Sequence, residues 1–224
     1  ISVLTNVLSL AIAVWFEFQA LKSIENKTIG DLKCKCYQYL KTMKKFFKKN
    51  LPKIYVLTLI ESNRSANLCS ILSDHEVEFE VINGIDGRNG LPHEFEKQID
   101  RKNTELRFGR SMSDGEYACA LSHLKIYQRI LDSGIERGII FEDDAIPDKQ
   151  LFDLDVKFFK EADLILLYHL NTYVSWNIFA ERKGAGTLPV RNSPFMACAY
   201  VISAEACKYI IEHAYPVTRC ADWP

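Results

Sequence analysis

The chain has 224 residues with a net charge of −1, and 48% of its residues are hydrophobic and 25% charged. This composition is typical of a globular protein and excludes an intrinsically disordered chain. A near-neutral balance provides no overall positive field, so we expect no nucleic-acid partner. The seven cysteines are odd in number and scattered through apolar stretches, which favours reduced thiols over a disulfide framework.

Residues 1–50 differ in composition from the rest of the chain. Residues 1–16 are mainly apolar and uncharged, although they are shorter than the ~20 residues that span a bilayer. Residues 22–53 contain ten lysines against Glu25 and Asp31. Lysines mixed with aromatic residues suit an anionic membrane surface. We expect residues 1–50 to be a helical segment, apolar and then basic, that attaches to such a surface; the alternative is a packed helix with a solvated basic face.

Strands and helices are expected to alternate from residue 53 onward. Residues 54–59 form a β-rich apolar run, residues 65–72 a short helical stretch, and residues 77–82 an alternating, half-buried strand. Residues 88–112 are polar and irregular, which predicts a long functional loop whose basic side chains could meet a diphosphate.

A capping box predicts the start of the longest helix, over residues 113–132. Ser113 and Glu116 have the Ser-x-x-Glu spacing in which each side chain bonds the other residue's backbone N–H. Two further strands are expected at residues 164–168 and 197–202, followed by a helix from residue 203. Repeated alternation of strands and helices predicts an α/β protein with a mostly parallel sheet flanked by helices.

An apolar run at residues 138–141 leads directly into three acids, Glu142, Asp143 and Asp144. Such a run reads as a buried strand, and bare carboxylates clustered at its end would repel one another. A divalent cation would offset their charge, because hard oxygen ligands suit Mg²⁺ and Mn²⁺. Ligands also bind at the carboxyl ends of strands in open α/β sheets. The pattern indicates a metal that holds a phosphorylated ligand; the alternative is a solvated acidic turn.

Several ordered motifs together resemble glycosyltransferase family 25. Residues 111–123 read SMSDGEYACALSH, and residues 140–144 read IFEDD. Arg64 just after the opening strand, the Ile85-Asp86-Gly87 turn and the strand entering a helix at residues 194–203 are further points of similarity. The resemblance covers residues 53–224 and does not extend to residues 1–50.

The resemblance implies a GT-A-type fold in a single domain, here residues 51–224, with family members continuing past the position of residue 224. It also implies an inverting transfer of a sugar, commonly galactose from UDP-galactose, to a saccharide acceptor. The family includes lipooligosaccharide galactosyltransferases of Gram-negative bacteria. We therefore expect a lipid-linked saccharide acceptor and a cytoplasmic protein, peripheral at the inner face of the cytoplasmic membrane.

The acids receive roles as ligands of a metal and of the donor. Asp144 is the first choice for a ligand of Mn²⁺ or Mg²⁺, with Glu142 as a second, and Glu142 or Asp143 would contact the ribose or a water shell. Arg64 and Asp86 are expected to meet the nucleotide, because each follows a strand on the ligand edge. Gly87 would let the backbone approach the ligand closely.

Three residues are candidates for the reacting end of the site. Glu116 and His123 lie two turns apart on one helical face, where either could orient the acceptor or the phosphates. Equally, His123 could be a satisfied core histidine and Glu116 only a helix cap. An inverting displacement needs a carboxylate to accept the acceptor's proton, and Asp222 is favoured because it precedes Trp223 beyond the last helix.

Two other functions compete with sugar transfer. One is a non-catalytic, membrane-associated binding protein that retains the glycosyltransferase fold, against which the intact acid triplet argues. The other is a metal-dependent phosphotransferase or nucleotidyltransferase. That reading lacks a G-x-x-x-x-G-K-[ST] loop, and residues 84–87 are too sparse in glycine for a dinucleotide fingerprint.

Overall fold

The computed structural model describes residues 51–170, 173 and 197–221 of the chain. The predictions for residues 1–50 therefore lie outside the described residues. Within them, the strands are β1 Lys53–Thr58, β2 Phe79–Asn83, β3 Arg137–Glu142, β4 Leu164–Leu166 and β5 Ala199–Ser203. The α-helices are α1 Ala66–Asp74, α2 Arg101–Phe108, α3 Asp114–Asp132 and α4 Ala204–Ala214. Short 3₁₀ helices cover His93–Gln98, Lys149–Asp153 and Phe158–Lys160.

The strands form one sheet in the order β2-β1-β3-β5-β4. Strand β1 pairs in parallel with both β2 and β3, whereas β5 pairs antiparallel with β3 and with β4. The α/β class is confirmed, and four of the five described strands run in the same direction, with β5 as the antiparallel exception. The prediction failed at β5 because a fully buried strand reads as the same apolar run in either direction.

The sheet is covered on both faces, as an α/β architecture requires. One face packs against α3 and α4 through residues such as Tyr55, Ile140 and Ile202. The other face packs against α1 and two of the 3₁₀ helices through Val56, Ile139 and other apolar side chains. Each fully buried aliphatic or aromatic side chain of this kind contributes roughly 1.5–3 kcal/mol. The two cores hold the strand ends at fixed positions.

The predicted loop at residues 88–112 is largely helical. It contains the 3₁₀ helix His93–Gln98 and helix α2, which begins where Asp100 accepts a hydrogen bond from the Asn103 backbone and ends at Gly109 with a φ of 67°. Among the α2 residues only Thr104 is buried. Because α2 buries only this one small polar residue, its sequence lacks apolar residues recurring at helical spacing. The sequence pattern therefore could not reveal this helix.

The predicted start of α3 is confirmed. Ser113 Oγ accepts from the Glu116 backbone N–H, and the Glu116 carboxylate accepts from the Ser113 N–H, which completes the capping box. Buried residues of α3 include Tyr117, Ile126 and Ile130. Among the described residues, none of the helices combines the length and the apolar character that crossing a membrane requires.

Candidate functional site

The carboxyl ends of the three parallel strands lie side by side. Thr58 at the end of β1 is in register with Asn83 at the end of β2, and Leu57 is in register with Glu142 at the end of β3. The segments after these strands therefore leave the sheet at one edge, where open α/β sheets bind their ligands. Those segments carry most of the predicted site residues.

Arg64 brings two of the three acids together. Its Nη2 lies 2.9 Å from Asp144 Oδ2 and 3.3 Å from Asp143 Oδ1. The side chain of Asp143 is only 10% exposed, and its Oδ2 accepts a hydrogen bond of 3.2 Å from Thr58 Oγ1. Asp144 and Arg64 are more open, at 53% and 63%. The predicted nucleotide-binding arginine and the predicted metal ligand are thus neighbours.

Glu142 has a different set of partners from the two aspartates. Successive side chains of a strand point to opposite faces, so a triplet at a strand end cannot present all its members to one point. Glu142 Oε1 lies 3.0 Å from His123 Nε2 on α3 and 3.8 Å from Cys119 Sγ. Burial alone would raise the pKa of Glu142, but the His123 hydrogen bond and nearby positive charge lower it below its ordinary value. Glu142 is therefore an ionised carboxylate.

A chain of hydrogen bonds supports His123 from behind. His123 is 2% exposed, and its Nδ1 lies 2.6 Å from the Tyr200 hydroxyl, which lies 2.8 Å from the Tyr127 hydroxyl. Burial raises the pKa of both tyrosines well above the ordinary value, so both hydroxyls stay neutral. Because the carboxylate can only accept, Nε2 carries a proton toward Glu142. His123 is both a satisfied core histidine and a contact of the acid triplet.

The Glu116 carboxylate accepts hydrogen bonds from residues close to it in the sequence. Besides completing the capping box, its carboxylate accepts two hydrogen bonds from Arg110, at 2.9 and 2.6 Å. The Arg110 hydrogen bond, together with those from Ser113, lowers the pKa of Glu116 to about 2. A carboxylate held so acidic is a weak proton acceptor at neutral pH. The geometry gives Glu116 a structural role, and its catalytic role stays a prediction.

The Ile85-Asp86-Gly87 turn packs against the start of α3. A Cβ atom on Gly87 would lie 2.4 Å from the Asp114 carbonyl oxygen, so glycine is needed there for contact between two segments of backbone. Asp86 accepts hydrogen bonds from the Arg88 guanidinium and backbone, and they lower its pKa to about 2. Both residues lie at the ligand edge, but the contacts described are with the protein itself.

The remaining predicted residue, Asp222, lies outside the described residues. Before it, residues 217–221 border a cavity of about 750 Å³ together with α3 and α4. His123 and Tyr127 line this cavity, as do Tyr209 and Glu205. Aromatic rings with a few convergent polar groups are typical of ligand pockets. His123 therefore connects the acid triplet to this cavity.

Thr58, Cys119 and Tyr200 contact the site without having been assigned to it from the sequence. Cys119 was recognisable as part of the core-facing stripe of α3, four residues before His123. Thr58 and Tyr200 belong to β1 and β5, which are adjacent to the acids only through the pairing order of the sheet. A single sequence carries no signal for that order.

Comparisons with known proteins relate this chain to one family. The family model described as "Glycosyltransferase family 25 (LPS biosynthesis protein)" matches residues 51–223. The Haemophilus influenzae protein named "Lipooligosaccharide biosynthesis protein lic2B" is 25% identical over 176 residues, which cover 73% of this chain and 64% of that protein.

Two animal relatives are matched over shorter regions. "Probable inactive glycosyltransferase 25 family member 3" of Rattus norvegicus is 26% identical over 145 residues, 62% of this chain and 24% of the relative. "Procollagen galactosyltransferase 1" of Danio rerio is 26% identical over 111 residues, 47% of this chain and 18% of the relative. The chain thus spans about a quarter or less of these animal proteins. Because the family match extends over most of the chain and includes β1, α3 and the acid triplet, this chain belongs to glycosyltransferase family 25.

Proposed function

We propose that this chain is an inverting, metal-dependent glycosyltransferase that transfers galactose from UDP-galactose to a saccharide of lipooligosaccharide or lipopolysaccharide. Family membership supports the reaction class. The name of the Haemophilus relative supports the acceptor class, and the name of the zebrafish relative supports galactose as the sugar. The observation that carries the proposal is the cluster of Arg64, Asp143 and Asp144 at the carboxyl edge of the parallel strands.

The chemistry of this cluster fits a nucleoside diphosphate held with a hard divalent cation. Mn²⁺ and Mg²⁺ prefer oxygen ligands such as the carboxylates of Asp143 and Asp144. Both carboxylates form ion pairs with the Arg64 guanidinium. When bound, the ion supplies Lewis-acid stabilisation of the charge on the leaving diphosphate. Arg64 is exposed enough to turn toward the diphosphate and bind it in bidentate fashion.

The other residues orient the donor and the acceptor. The buried position of Asp143 and its bond to Thr58 fix the start of the acid segment, and His123 fixes the Glu142 carboxylate. In an inverting displacement a carboxylate takes the acceptor's hydroxyl proton from within about 3 Å. Asp222 remains our first candidate for that base, because the Glu116 carboxylate is committed to Arg110 and Ser113.

A non-catalytic binding protein is the second candidate function. The specific observation in its favour is the rat relative, whose name describes it as inactive. Metal-dependent UDP binding would not separate the two functions, because a binding protein could retain it. Release of UDP from a panel of UDP-sugars with Mn²⁺, measured on the full chain, does separate them. We expect turnover with UDP-galactose; binding without turnover on any donor or acceptor would favour the second function.

Substitution of the acids tests the site itself. We expect Asp144→Ala to weaken Mn²⁺-dependent UDP-galactose binding by at least about 10- to 100-fold, because loss of a residue that only supports a metal ligand already costs that much. Asp74→Ala, which removes an exposed acid at the end of α1, is the control and should bind as the parent does. Undiminished affinity in a folded Asp144→Ala variant, measured by calorimetry, would contradict the assignment.

We further propose that the acceptor is lipid-linked and that residues 1–50 attach the protein to an anionic membrane surface on its cytoplasmic side. The ten lysines of residues 22–53 support electrostatic attachment. An enzyme held beside a membrane-bound acceptor gains effective concentration over one that diffuses freely.

A further inference from the structure

Three side chains with metal-binding atoms converge beside the acid triplet. Cys119 Sγ, His123 Nε2 and a Glu142 carboxylate oxygen all lie within 4.8 Å of one another. Glu142 Oε1 is 3.0 Å from the histidine nitrogen and 3.8 Å from the sulfur. Two of the three come from α3 and one from the end of β3, so the cluster joins a helix to the sheet.

Two of the three distances are close to those of a small tetrahedral site, and the third, between the cysteine sulfur and the histidine nitrogen, is below 4.8 Å. Zinc binds sulfur at about 2.3 Å and nitrogen or oxygen at about 2.0–2.2 Å, which places neighbouring ligand atoms about 3.3–3.8 Å apart. Only shifts of a few tenths of an ångström would bring Glu142 Oε1 to that spacing from the other two atoms. A thiolate with an imidazole selects zinc-class ions over Mg²⁺ or Mn²⁺, which prefer oxygen ligands throughout.

The positions of the ligands in the fold also suit a metal. Residues four apart lie on the same face of a helix, so Cys119 and His123 are presented together by a rigid element. Metal-binding histidines donate their second ring N–H to a fixed partner, which sets the tautomer. Here Nδ1 faces the buried Tyr200 hydroxyl at 2.6 Å. Metal binding therefore changes the tautomer of the metal-free protein: Nε2 gives up the proton that it donates to Glu142, Nδ1 carries the ring proton and donates it to the Tyr200 hydroxyl, and the Nε2 lone pair binds the ion.

We propose that Cys119, His123 and Glu142 form a three-ligand binding site for a zinc-class divalent cation. Cys119 binds as the thiolate and loses its proton to solvent, so metal affinity rises with pH. Glu142 is 27% exposed, so its side of the cluster is accessible to water, which would supply a fourth ligand. The bound ion links α3 to the end of β3.

This site is separate from the carboxylates that would hold a hard cation. Asp143 and Asp144 pair with Arg64, whereas the new cluster is built on α3. The inference does not rest on the proposed function, because zinc binding needs neither a sugar nucleotide nor turnover. It does predict that the metal keeps the Glu142 carboxylate in its position beside α3.

Cobalt(II) titration of the full chain tests the proposal, because Co²⁺ bound to a thiolate gives a charge-transfer absorption in the near ultraviolet. The C-x-C pair is first removed with Cys34→Ser and Cys36→Ser, so that those thiols contribute nothing. We expect one equivalent of Co²⁺ to produce the thiolate band and Zn²⁺ to abolish it by displacement. Adding Cys119→Ser should remove the band.

Matched variants separate this site from other thiols and from the acids. Cys69→Ser, at another partly buried cysteine, and Asp144→Asn should both keep the band. Tyr200→Phe should keep it but weaken the affinity by about 10-fold or more, as loss of a histidine's supporting partner does. Glu142→Gln should weaken the affinity likewise and serves if Cys119→Ser does not fold. Absence of the band in the parent, or an equal band after Cys119→Ser, overturns the proposal.

Discussion

Arg64 replaces part of the role first assigned to a metal ion. Clustered carboxylates at the end of a buried strand need a compensating charge, and the Arg64 guanidinium supplies one to Asp143 and Asp144. Glu142 has a separate partner, because its carboxylate accepts a hydrogen bond from His123. A guanidinium and a divalent cation compete when both bind the same carboxylate oxygens. The affinity of the site for metal should therefore depend on Arg64.

We expect Arg64→Ala to change two affinities in opposite directions. Mn²⁺ should bind about as tightly as before or tighter, because its ligands lose a competing cation, while UDP affinity should fall by about 10-fold through loss of a charge-assisted contact. Calorimetry with Mn²⁺ alone and then with UDP measures both. Arg129→Ala, which removes an exposed arginine that pairs with Glu80, is the control. A parallel loss of both affinities in the Arg64 variant would contradict competition.

Gly87 and Gly115 are a matched pair of positions for testing why the Asp86-Gly87 turn needs a glycine. A Cβ atom at Gly87 would meet backbone of Asp114 at 2.4 Å, whereas at Gly115 the nearest atom is Ser113 Oγ at 3.9 Å. We expect Gly87→Ala to lower the free energy of unfolding by about 1–3 kcal/mol, as overpacking does. Gly115→Ala should be neutral or stabilising by up to about 1 kcal/mol, because alanine favours the helix. Equal stabilities in urea titration would show that Gly87 is kept for its ligand contacts instead.

The sequence predicted which residues lie at the site better than it predicted what they contact. Glu142, Asp143 and Asp144 were recognisable because their charges follow a buried run. Glu142 contacts α3 while the two aspartates contact Arg64, and this difference depends on strand pleating and on the distance to α3. A sequence motif contains neither kind of information. Thr58 and Tyr200 were missed because sheet order brings them near. Arg64 was found through the resemblance and its place after β1.

At the scale of elements, the capping box of α3 is where local chemistry and charge act together. Ser113 and Glu116 bond each other's backbone, and Arg110 pairs with the same carboxylate. The α3 start was predictable because this chemistry is confined to four neighbouring residues. Helix α2 was not, since its anchors are the Asp100 cap and ion pairs of Arg101 with Glu96 and Asp114. Such pairs have no fixed spacing in sequence.

The depressed pKa of Glu116 gives a stability prediction with a defined sign. A carboxyl whose folded pKa is about 2 stabilises the fold above its unfolded value of about 4.5 and loses that contribution as pH falls toward 2. Glu116→Gln keeps the capping geometry but not the charge. We expect it to lower the free energy of unfolding by up to about 1 kcal/mol at pH 7, discounted for solvent screening.

Thermal unfolding between pH 7 and pH 2.5 checks this prediction. The difference between the parent and Glu116→Gln should shrink steadily below about pH 4.5 as the parent's carboxylate becomes protonated. Ser113→Ala removes a cap hydrogen bond rather than a charge, so at least part of its loss, about 1 kcal/mol, should persist at acid pH. A Glu116→Gln deficit that stays constant over the whole range would contradict a charge-dependent role.

At the scale of the whole molecule, the chain contains two regions that differ in amino-acid composition. Residues 51–223 match the glycosyltransferase family, whereas residues 1–50 are apolar and then lysine-rich. Electrostatic and apolar attachment to a membrane differ in their response to salt. The Debye length shrinks from ~10 Å at 0.1 M to ~3 Å at 1 M, so electrostatic attachment weakens with salt while apolar insertion persists.

We predict that the full chain sediments with vesicles that contain anionic lipid and that a chain starting at Leu51 does not. Binding retained at 1 M salt would report insertion of residues 1–16, and binding lost there would report the lysines alone. Charge reversal at Lys44, Lys45, Lys48 and Lys49 should abolish the salt-sensitive part, because each basic residue near the surface contributes about 1 kcal/mol. The same reversal at four exposed lysines within residues 51–221, Lys97, Lys102, Lys149 and Lys157, should leave binding unchanged. If the full chain does not bind anionic vesicles even at low salt, the proposed attachment of residues 1–50 to an anionic membrane surface is contradicted.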